Sequence, residues 1–283
     1  MNDELGKRMK ENYEQRTLVK LPRRTYTIIR IDGKAFHTLT RGFDRPFDKD
    51  LSNIMDQTTI ALCKGIQGAV LAYTQSDEIS ILLTDFSSPT TDAWFDGNIQ
   101  KIASVSASMA TAAFNTAVQK HRENPLNHGS DLEKFLTKNG EVKTALFDSR
   151  VFTIPDHVEV FNYFIWRQQD ASRNSVQMAA RALYPHAVCN NKNNSQLQEL
   201  LHQRGVNWND YTSGEKRGRA IVKQLHQIAV SWPGATIDAT VTRATWVSYT
   251  GANGLPETPI FTQDREFLRS RIPIAWKDTG DDK

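Results

Sequence analysis

Residues 26–31 form an apolar, β-branched run that predicts a strand, and it ends in Asp32 with Gly33 directly after it. A second such run around residues 70–73 leads to Asp77 and Glu78, and a third strand follows over residues 79–83. The last two are close enough to pair as an antiparallel hairpin, with the acids at its tight connection. Between the first and second runs, residues 48–65 carry Leu51, Ile54, Met55, Thr58 and Leu62 on one helical face, bracketed by Gly65 and Gly68. Residues 95–121 predict a long helix whose small side, Ala103, Ala107, Ala110 and Ala113, lets it lie close to a sheet. A strand pair or one bent strand is expected over residues 145–154, stopped by Pro155. A second long helix follows over residues 157–183, with Val160, Phe164, Arg167 and Ala171 on one repeat. The order is βαββαβ with flanking helices. It predicts an α+β fold of ferredoxin-like type, an antiparallel sheet with two helices on one face.

The remaining segments are less periodic. Residues 3–16 predict a short helix packed by a thin stripe of Leu5, Met9 and Tyr13. The polar stretch 123–143, with Pro125, Gly129 and Gly140, predicts a mobile or protruding insertion with a short helix over 131–136. After the Asn-rich linker 190–195, Ser195 is the expected cap of a helix over 196–203, and strands are expected over 219–225 and 239–248. These features divide the chain into a first domain, 1–189, and a helix-plus-strand extension, 190–283, packed on it.

Composition narrows the class only a little. The 283 residues, 39% of them apolar, suffice for a full core, and the net charge of +3 permits nucleic acid binding without arguing for it. The two cysteines, Cys63 and Cys189, have no C-x-x-C spacing and read as buried, reduced thiols. No apolar run nears the ~18 residues of a membrane span and no leader is visible, so a cytoplasmic protein without membrane contact is expected.

The chemistry concentrates where the strands end. A carboxylate at the mouth of a buried strand needs a partner to offset its desolvation. Asp32 and Asp77, with Glu78 as a further oxygen donor, converge if their strands are neighbours, and hard oxygen ligands favour Mg²⁺ in a two-metal site for phosphoryl chemistry. The same acids would equally serve as an ordinary turn and hairpin. Gly33, Lys34, Ala35, Phe36 and His37 form a strand-to-helix loop that can bring backbone N–H groups to a phosphate. Arg167, Asp170, Arg173 and Asn174 recur along one side of the second long helix. That stripe suits a phosphate or an RNA end, and it also suits a solvated face with ion pairs. Trp166 is expected in the core. Lys216, Arg217 and Arg219, with Lys192, are candidate phosphate contacts, and Trp208 and Tyr211 near them could stack on bases.

Four stretches in order, Arg30-Ile-Asp-Gly-Lys-Ala-Phe-His37, Ala72-Tyr-Thr-Gln-Ser-Asp-Glu78, Phe147-Asp-Ser-Arg150 and Trp166-Arg-Gln-Gln-Asp170, make the chain resemble the tRNA-His guanylyltransferases and their bacterial and archaeal relatives, the 3′-to-5′ RNA polymerases. The likeness runs over roughly residues 5–225. It implies a polymerase palm with two Mg²⁺ ions, held by Asp32, Asp77 and the Gly33 carbonyl, and with Glu78 as a further required acid. By position it also implies nucleotide contacts from residues 32–37, Arg45, Asp48, Ser76 and Asp77. Arg30, Arg150, Arg167, Arg173, Asn174, Lys192, Lys216 and Arg217 are the expected RNA contacts. The implied substrates are tRNA, ATP and GTP or another nucleoside triphosphate, and the implied assembly is a homotetramer. In the family's reaction ATP adenylylates a tRNA 5′-monophosphate, and the 3′-hydroxyl of a second triphosphate then displaces AMP. Eukaryotic members carry His-Ile-Asn-Asn-Leu-Tyr-Asn where this chain has Ser172-Arg-Asn-Ser-Val-Gln-Met178, a variant like that of the bacterial branch. The variant implies templated repair of 5′-truncated tRNAs over non-templated addition of one G to tRNA-His. Two other readings use the same residues: a non-catalytic RNA- or nucleotide-binding palm, and an enzyme acting on nucleotides alone, as cyclases do. Retention of Asp32, Asp77 and Glu78 weighs against the first.

Overall fold

The computed structural model describes residues 3–124, 130–230 and 239–275. Its order is α1 (Glu4–Met9), β1 (Tyr26–Gly33), α2 (Phe36–Leu39), α3 (Lys49–Gly65), β2 (Ala69–Gln75), β3 (Glu78–Leu83), α4 (Ile99–Glu123) and β4 (Phe147–Ile154). Then come α5 (His157–Leu183), α6 (His186–Cys189), α7 (Asn194–Gln203), α8 (Ser213–Arg217), β5 (Arg219–Val230), β6 (Ala239–Tyr249) and α9 (Arg265–Arg269). The six strands form one antiparallel sheet in the order β4-β1-β3-β2-β5-β6. Its first four strands reproduce the expected βαββαβ arrangement. β3 lies between β1 and β2, and this placement brings the end of β1 beside the β2–β3 turn.

Both faces of the sheet are buried along its central strands, β1, β2 and β3. The period-2 geometry of β1 sends Ile29 and Ile31 to one side, where they meet Ile54, Met55 and Leu62 of α3 and Ile102, Ala110 and Phe114 of α4. Tyr26 and Ile28 face the other side and pack with Val160 and Phe164 of α5. The region after residue 190 shares this architecture. β5 pairs with β2 from Thr74↔Arg219 to Leu71↔Val222, and Phe261, Phe267, Leu268 and Ile272 complete the α5-side core. The β5–β6 ladder continues beyond β2 to Val230↔Ala239 and is longer than the expected strands.

Several local expectations change. The α1 stripe is not packed: Leu5, Met9 and Tyr13 are all exposed. The long helix starts at Ile99, because Phe95 and Asp96 have positive φ and Asn98 caps the Lys101 N–H. Its buried face is Ile102, Ser106, Ala110, Phe114 and Ala117, so only one of the four alanines expected against the sheet is fully buried. Asn193, not Ser195, caps α7, through a capping box with Gln196. Residues 125–129 of the expected insertion lie outside the described residues. Past them, Phe135 is buried against Phe43, and Lys143 donates to the Leu39, Arg41 and Lys134 carbonyls. This part is therefore folded onto the body and does not protrude.

Phe114 joins the α4 core to the loop after β1, since its ring meets Phe36 and Phe147. Phe114→Ala should cost about 3–5 kcal/mol, the usual range for emptying a buried aromatic site. Urea denaturation reads this directly, and a loss under about 1 kcal/mol would show that this three-ring contact does not anchor the loop.

Candidate active site

At one end of the sheet Asp32 lies opposite Glu78 on β3 and Asp148 on β4. The next row inward is Arg30, Ser80 and Arg150. Facing partners project to the same side, here the α5 side, where Tyr163 hydrogen-bonds Ser80 at 2.8 Å. Arg167 of α5 is only 4% exposed. Its Nε lies 2.8 Å from Glu78 Oε1, and its Nη2 donates to Glu78 Oε2 at 3.1 Å and to Asp170 at 2.7 Å. Arg30 Nε is 3.6 Å from Glu78 Oε2. Glu78 Oε1, Arg167 Nε and Arg30 Nε lack an aligned hydrogen bond, so charge attraction more than directed bonding holds them. Burial raises the Glu78 pKa despite the two arginines. Burial also pushes Asp170 up, but Arg173 and Arg167 outweigh it and hold that carboxyl below the usual range.

Arg167 was expected to face RNA, and the structure instead buries it as the charge partner of Glu78. Trp166, expected in the core, is 45% exposed, with its ring 4.2 Å from the Arg167 guanidinium. On a helix this close to a sheet edge, the arginine turns inward to reach the acid and the indole covers its outer side.

Asp77 arrives by a different route. Gln75 pairs with Glu78, so Ser76 and Asp77 alone make the turn, and Ser76 takes φ 47° to close it. The Gly33 N–H donates to the Asp77 carbonyl at 3.2 Å and ties the end of β1 to this turn. Burial raises the Asp77 pKa. The nearby Asp32 charge adds to the rise, while its own backbone, the Ser76 hydroxyl and His37 oppose it. Among the described residues no basic group comes within ion-pair distance of Asp32 or Asp77, in contrast to Glu78.

The 33–37 loop is shaped by its aromatic ring. A Cβ on Gly33 would come 2.2 Å from the Phe36 ring, so this glycine makes room for Phe36, where the sequence suggested room for a phosphate. Ala35 takes φ 56° and leads into α2. The Phe36 side chain is buried, His37 is exposed, and Lys34 is exposed away from the cavity described next.

A cavity of about 610 Å³ opens beside the Ser76–Asp77 turn, a size that suits a nucleotide. Gly33, Ala35, Phe36 and His37 form one wall, and Arg45, Phe47, Asp48, Leu51 and Ser52 form another. Gln75, Ser76 and Asp77 lie at its edge. Asn174, Met178 and Arg181 of α5, with Gly214, Gly218 and Arg219, complete the lining. Asp48 is committed to the protein: its carboxylate accepts from Leu51 N at 2.8 Å, Asp44 N at 3.1 Å and Lys134 Nζ at 2.8 Å. It caps α3 and fixes the loop before it, where a nucleotide contact was expected. Burial pulls the Lys134 pKa down, but Asp48 and Asp50 outweigh it and keep the lysine above its ordinary range.

Of the expected RNA contacts, Arg30, Arg150, Arg173 and Asn174 gather around the acidic row and Asp170. Lys216 and Arg217 are turned to the Asn209 and Thr258 carbonyls, and Lys192 is exposed between α6 and α7. Gln75, Met178 and Arg181 are among the cavity residues not foreseen. Helical spacing from Asn174 is the signal that could have found Met178 and Arg181.

The family model for tRNAHis guanylyltransferase matches residues 6–155. The chain belongs to that family. A bacterial tRNA(His) guanylyltransferase-like protein solved with ATP is 40% identical, with a TM-score of 0.76 over 95% of this chain and 99% of that one. A bacterial protein of the same description solved with GTP is 39% identical, with a TM-score of 0.72 over 96% of this chain and 100% of that one. An uncharacterized protein of Acanthamoeba polyphaga mimivirus is 31% identical over 80% of this chain and 79% of its own length. As a member of this family the protein is a nucleotidyltransferase, and its sheet and helices form the family's palm-like fold.

Two outcomes follow from the site's charges. Arg167→Met strands a buried Glu78 and should cost about 3–5 kcal/mol by denaturant titration, whereas an exposed ion pair would cost under about 1 kcal/mol. Asp77→Asn should act the other way. A raised carboxyl pKa means that the native state keeps a proton the unfolded chain releases, so Asp77 favours the fold below its ordinary value of 3.8 and opposes it as pH rises. In chelator, Asp77→Asn should therefore melt above the wild type at neutral pH, with the gap closing as pH falls towards the ordinary carboxyl range. A gap that does not change with pH would contradict the burial of this charge.

Proposed function

We propose that this nucleotidyltransferase adds nucleotides to tRNA 5′ ends in the 3′-to-5′ direction, and that it serves templated repair of 5′-truncated tRNAs. The reading is carried by one observation: the Gly33–Asp77 hydrogen bond ties the end of β1, where Asp32 stands, to the Ser76–Asp77 turn that lines a nucleotide-sized cavity. The bacterial relatives solved with ATP and with GTP support nucleotides as its occupants. The Ser172–Met178 variant supports repair over single-G addition.

The donor set fits Mg²⁺. Two carboxylates crowd together without a basic partner, and no group of three or more metal-binding side chains exists among the described residues. Mg²⁺ takes one or two carboxylates and completes its shell with water and substrate phosphates. Asp32 and Asp77, with the Gly33 carbonyl, would hold it. Bound there, it would acidify the attacking hydroxyl and neutralise charge developing at phosphorus.

The chain's own residues bind and align the reactants. His37, Arg45 and Ser76 flank the cavity where a triphosphate would lie. In the first step a tRNA 5′-phosphate oxygen attacks the α-phosphorus of ATP and pyrophosphate leaves. In the second, the 3′-hydroxyl of a nucleoside triphosphate attacks the activated 5′-phosphorus, AMP leaves, and the new end carries a triphosphate. Each is an in-line displacement, for which fixed geometry matters most. Arg30, Arg150 and Arg173 lie on the α5 side of the sheet end and suit the RNA backbone.

The test offers 5′-monophosphorylated tRNA-His lacking its extra G, and a 5′-truncated tRNA, with ATP and all four triphosphates. The truncated tRNA should be extended preferentially, and Asp32→Ala or Asp77→Ala should each lower addition at least about 100-fold while the circular dichroism spectrum is kept. Activity retained in either variant would sink the metal assignment. Extension of tRNA-His alone, by G, would overturn the repair reading and leave nucleotidyl transfer standing.

A further inference from the structure

Arg219 opens β5 directly opposite Thr74 of β2, two residues before the Ser76–Asp77 turn. It is 6% exposed and forms part of the cavity wall. Behind it, Asp56 of α3 accepts from Arg219 Nε through one oxygen and from Ser248 Oγ through the other, at 2.9 Å. The rest of the guanidinium is not used in this way. Among the described residues no second carboxylate reaches it, and Nη2 is buried without a hydrogen-bond partner. A buried charged donor with no acceptor is unfavourable, and each such group in a native structure calls for an explanation.

The approach to Arg219 is rigid. Thr212 and Glu215 close a capping box on α8. Gly218 takes φ +73°, and a Cβ there would come 2.2 Å from the Tyr73 hydroxyl oxygen. The arginine is thus held from behind by Asp56 and along the chain by a turn that admits no side chain. Such preorganisation suits a group that waits for a ligand.

We infer that Arg219 takes a phosphate oxygen of the nucleotide bound beside Asp77. The inference rests on the reading of the cavity as the nucleotide site and gives it a further binding residue. The missing partner must be an acceptor, and a phosphate offers several charged ones to the planar guanidinium fork. Position favours phosphate over base. A nucleotide whose phosphates lie against Ser76 and Asp77 brings those phosphates, and not its base, next to the strand that pairs with β2 at Thr74. Asp56 acts through Arg219 and is a positioning residue.

Calorimetry on the full chain tests this with four probes: ATP, inorganic tripolyphosphate, adenosine and a 5′-phosphorylated RNA oligonucleotide. Arg219→Lys keeps a buried positive charge against Asp56 and loses the fork. It should weaken ATP and tripolyphosphate at least about tenfold, the scale of one charged hydrogen bond, and leave adenosine and the oligonucleotide unchanged. Should Arg219→Lys melt well below the wild type, the double variant Asp56→Asn/Arg219→Gln removes both buried charges and should show the same selective loss. A variant that binds ATP and tripolyphosphate like the wild type overturns the inference alone. Equal losses for ATP and adenosine overturn the phosphate contact in favour of a structural or base-reading role. A loss confined to the oligonucleotide moves the contact to the RNA 5′-phosphate and overturns it for the nucleotide. Wild-type protein that binds neither ATP nor tripolyphosphate overturns the reading of the cavity and this inference together.

Discussion

Three carboxylates, Asp32, Asp77 and Glu78, stand half-buried at one end of the sheet, and among the described residues only Glu78 has a positive partner within ion-pair distance. Glu78 is matched by Arg167 and Arg30. Asp32 and Asp77 have no such partner, and the Asp32 charge adds to the rise in the Asp77 pKa that burial begins. Like charges brought near one another are unfavourable, so the fold must hold them in place. The force comes from topology. β3 sits between β1 and β2, the β2–β3 turn is only two residues long, and the Gly33 N–H closes the gap to the Asp77 carbonyl. Two buried faces of sheet, packed by α3 and α4 on one side and α5 on the other, hold that geometry against the repulsion.

The cavity beside this pair is built by parts of the chain far apart in sequence. The family match, residues 6–155, covers the acid pair, the 33–37 loop and the start of α3. The rest of the lining, Asn174 to Arg181 and Gly214 to Arg219, lies beyond it. Those residues reach the cavity because α5 crosses the opposite face of the sheet and β5 joins the edge of β2. The acids and the loop beside them are therefore the family's shared element, and the cavity is completed by segments that the family model leaves unmatched.

The strands were legible because β-branched runs ending in acids are unusual, and the βαββαβ order followed from them. The convergence of Asp32 and Asp77 follows from that order together with the sheet pairing. What stayed hidden depends on direction more than on residue type. Arg167 and Trp166 are neighbours on α5, and nothing in their order tells that the arginine turns inward to an acid and the indole outward. Asp48 reads as a ligand or as a cap with equal ease, and only the Leu51, Asp44 and Lys134 donors decide it. Gly33 looked like room for a phosphate until the Phe36 ring was seen to occupy that space. Arg219 stood in a basic cluster with Lys216 and Arg217, and only the sheet register separates it from them, since those two turn to backbone carbonyls while it enters the cavity wall.

The unequal treatment of the acids is the most informative feature of the site. If all three carboxylates were structural, the protein would gain by matching each with an arginine, as it does for Glu78. If all three were ligands, Arg167 would compete with a cation for Glu78, placed as it is 2.8 Å away. The arrangement found separates the two roles. Arg167 and Arg30 offset the charge of Glu78, which the Asp32 charge also reaches. On the reading proposed above, the unmatched pair would keep its lone pairs for a cation, which would offset a like-charge contact that no basic side chain among the described residues relieves.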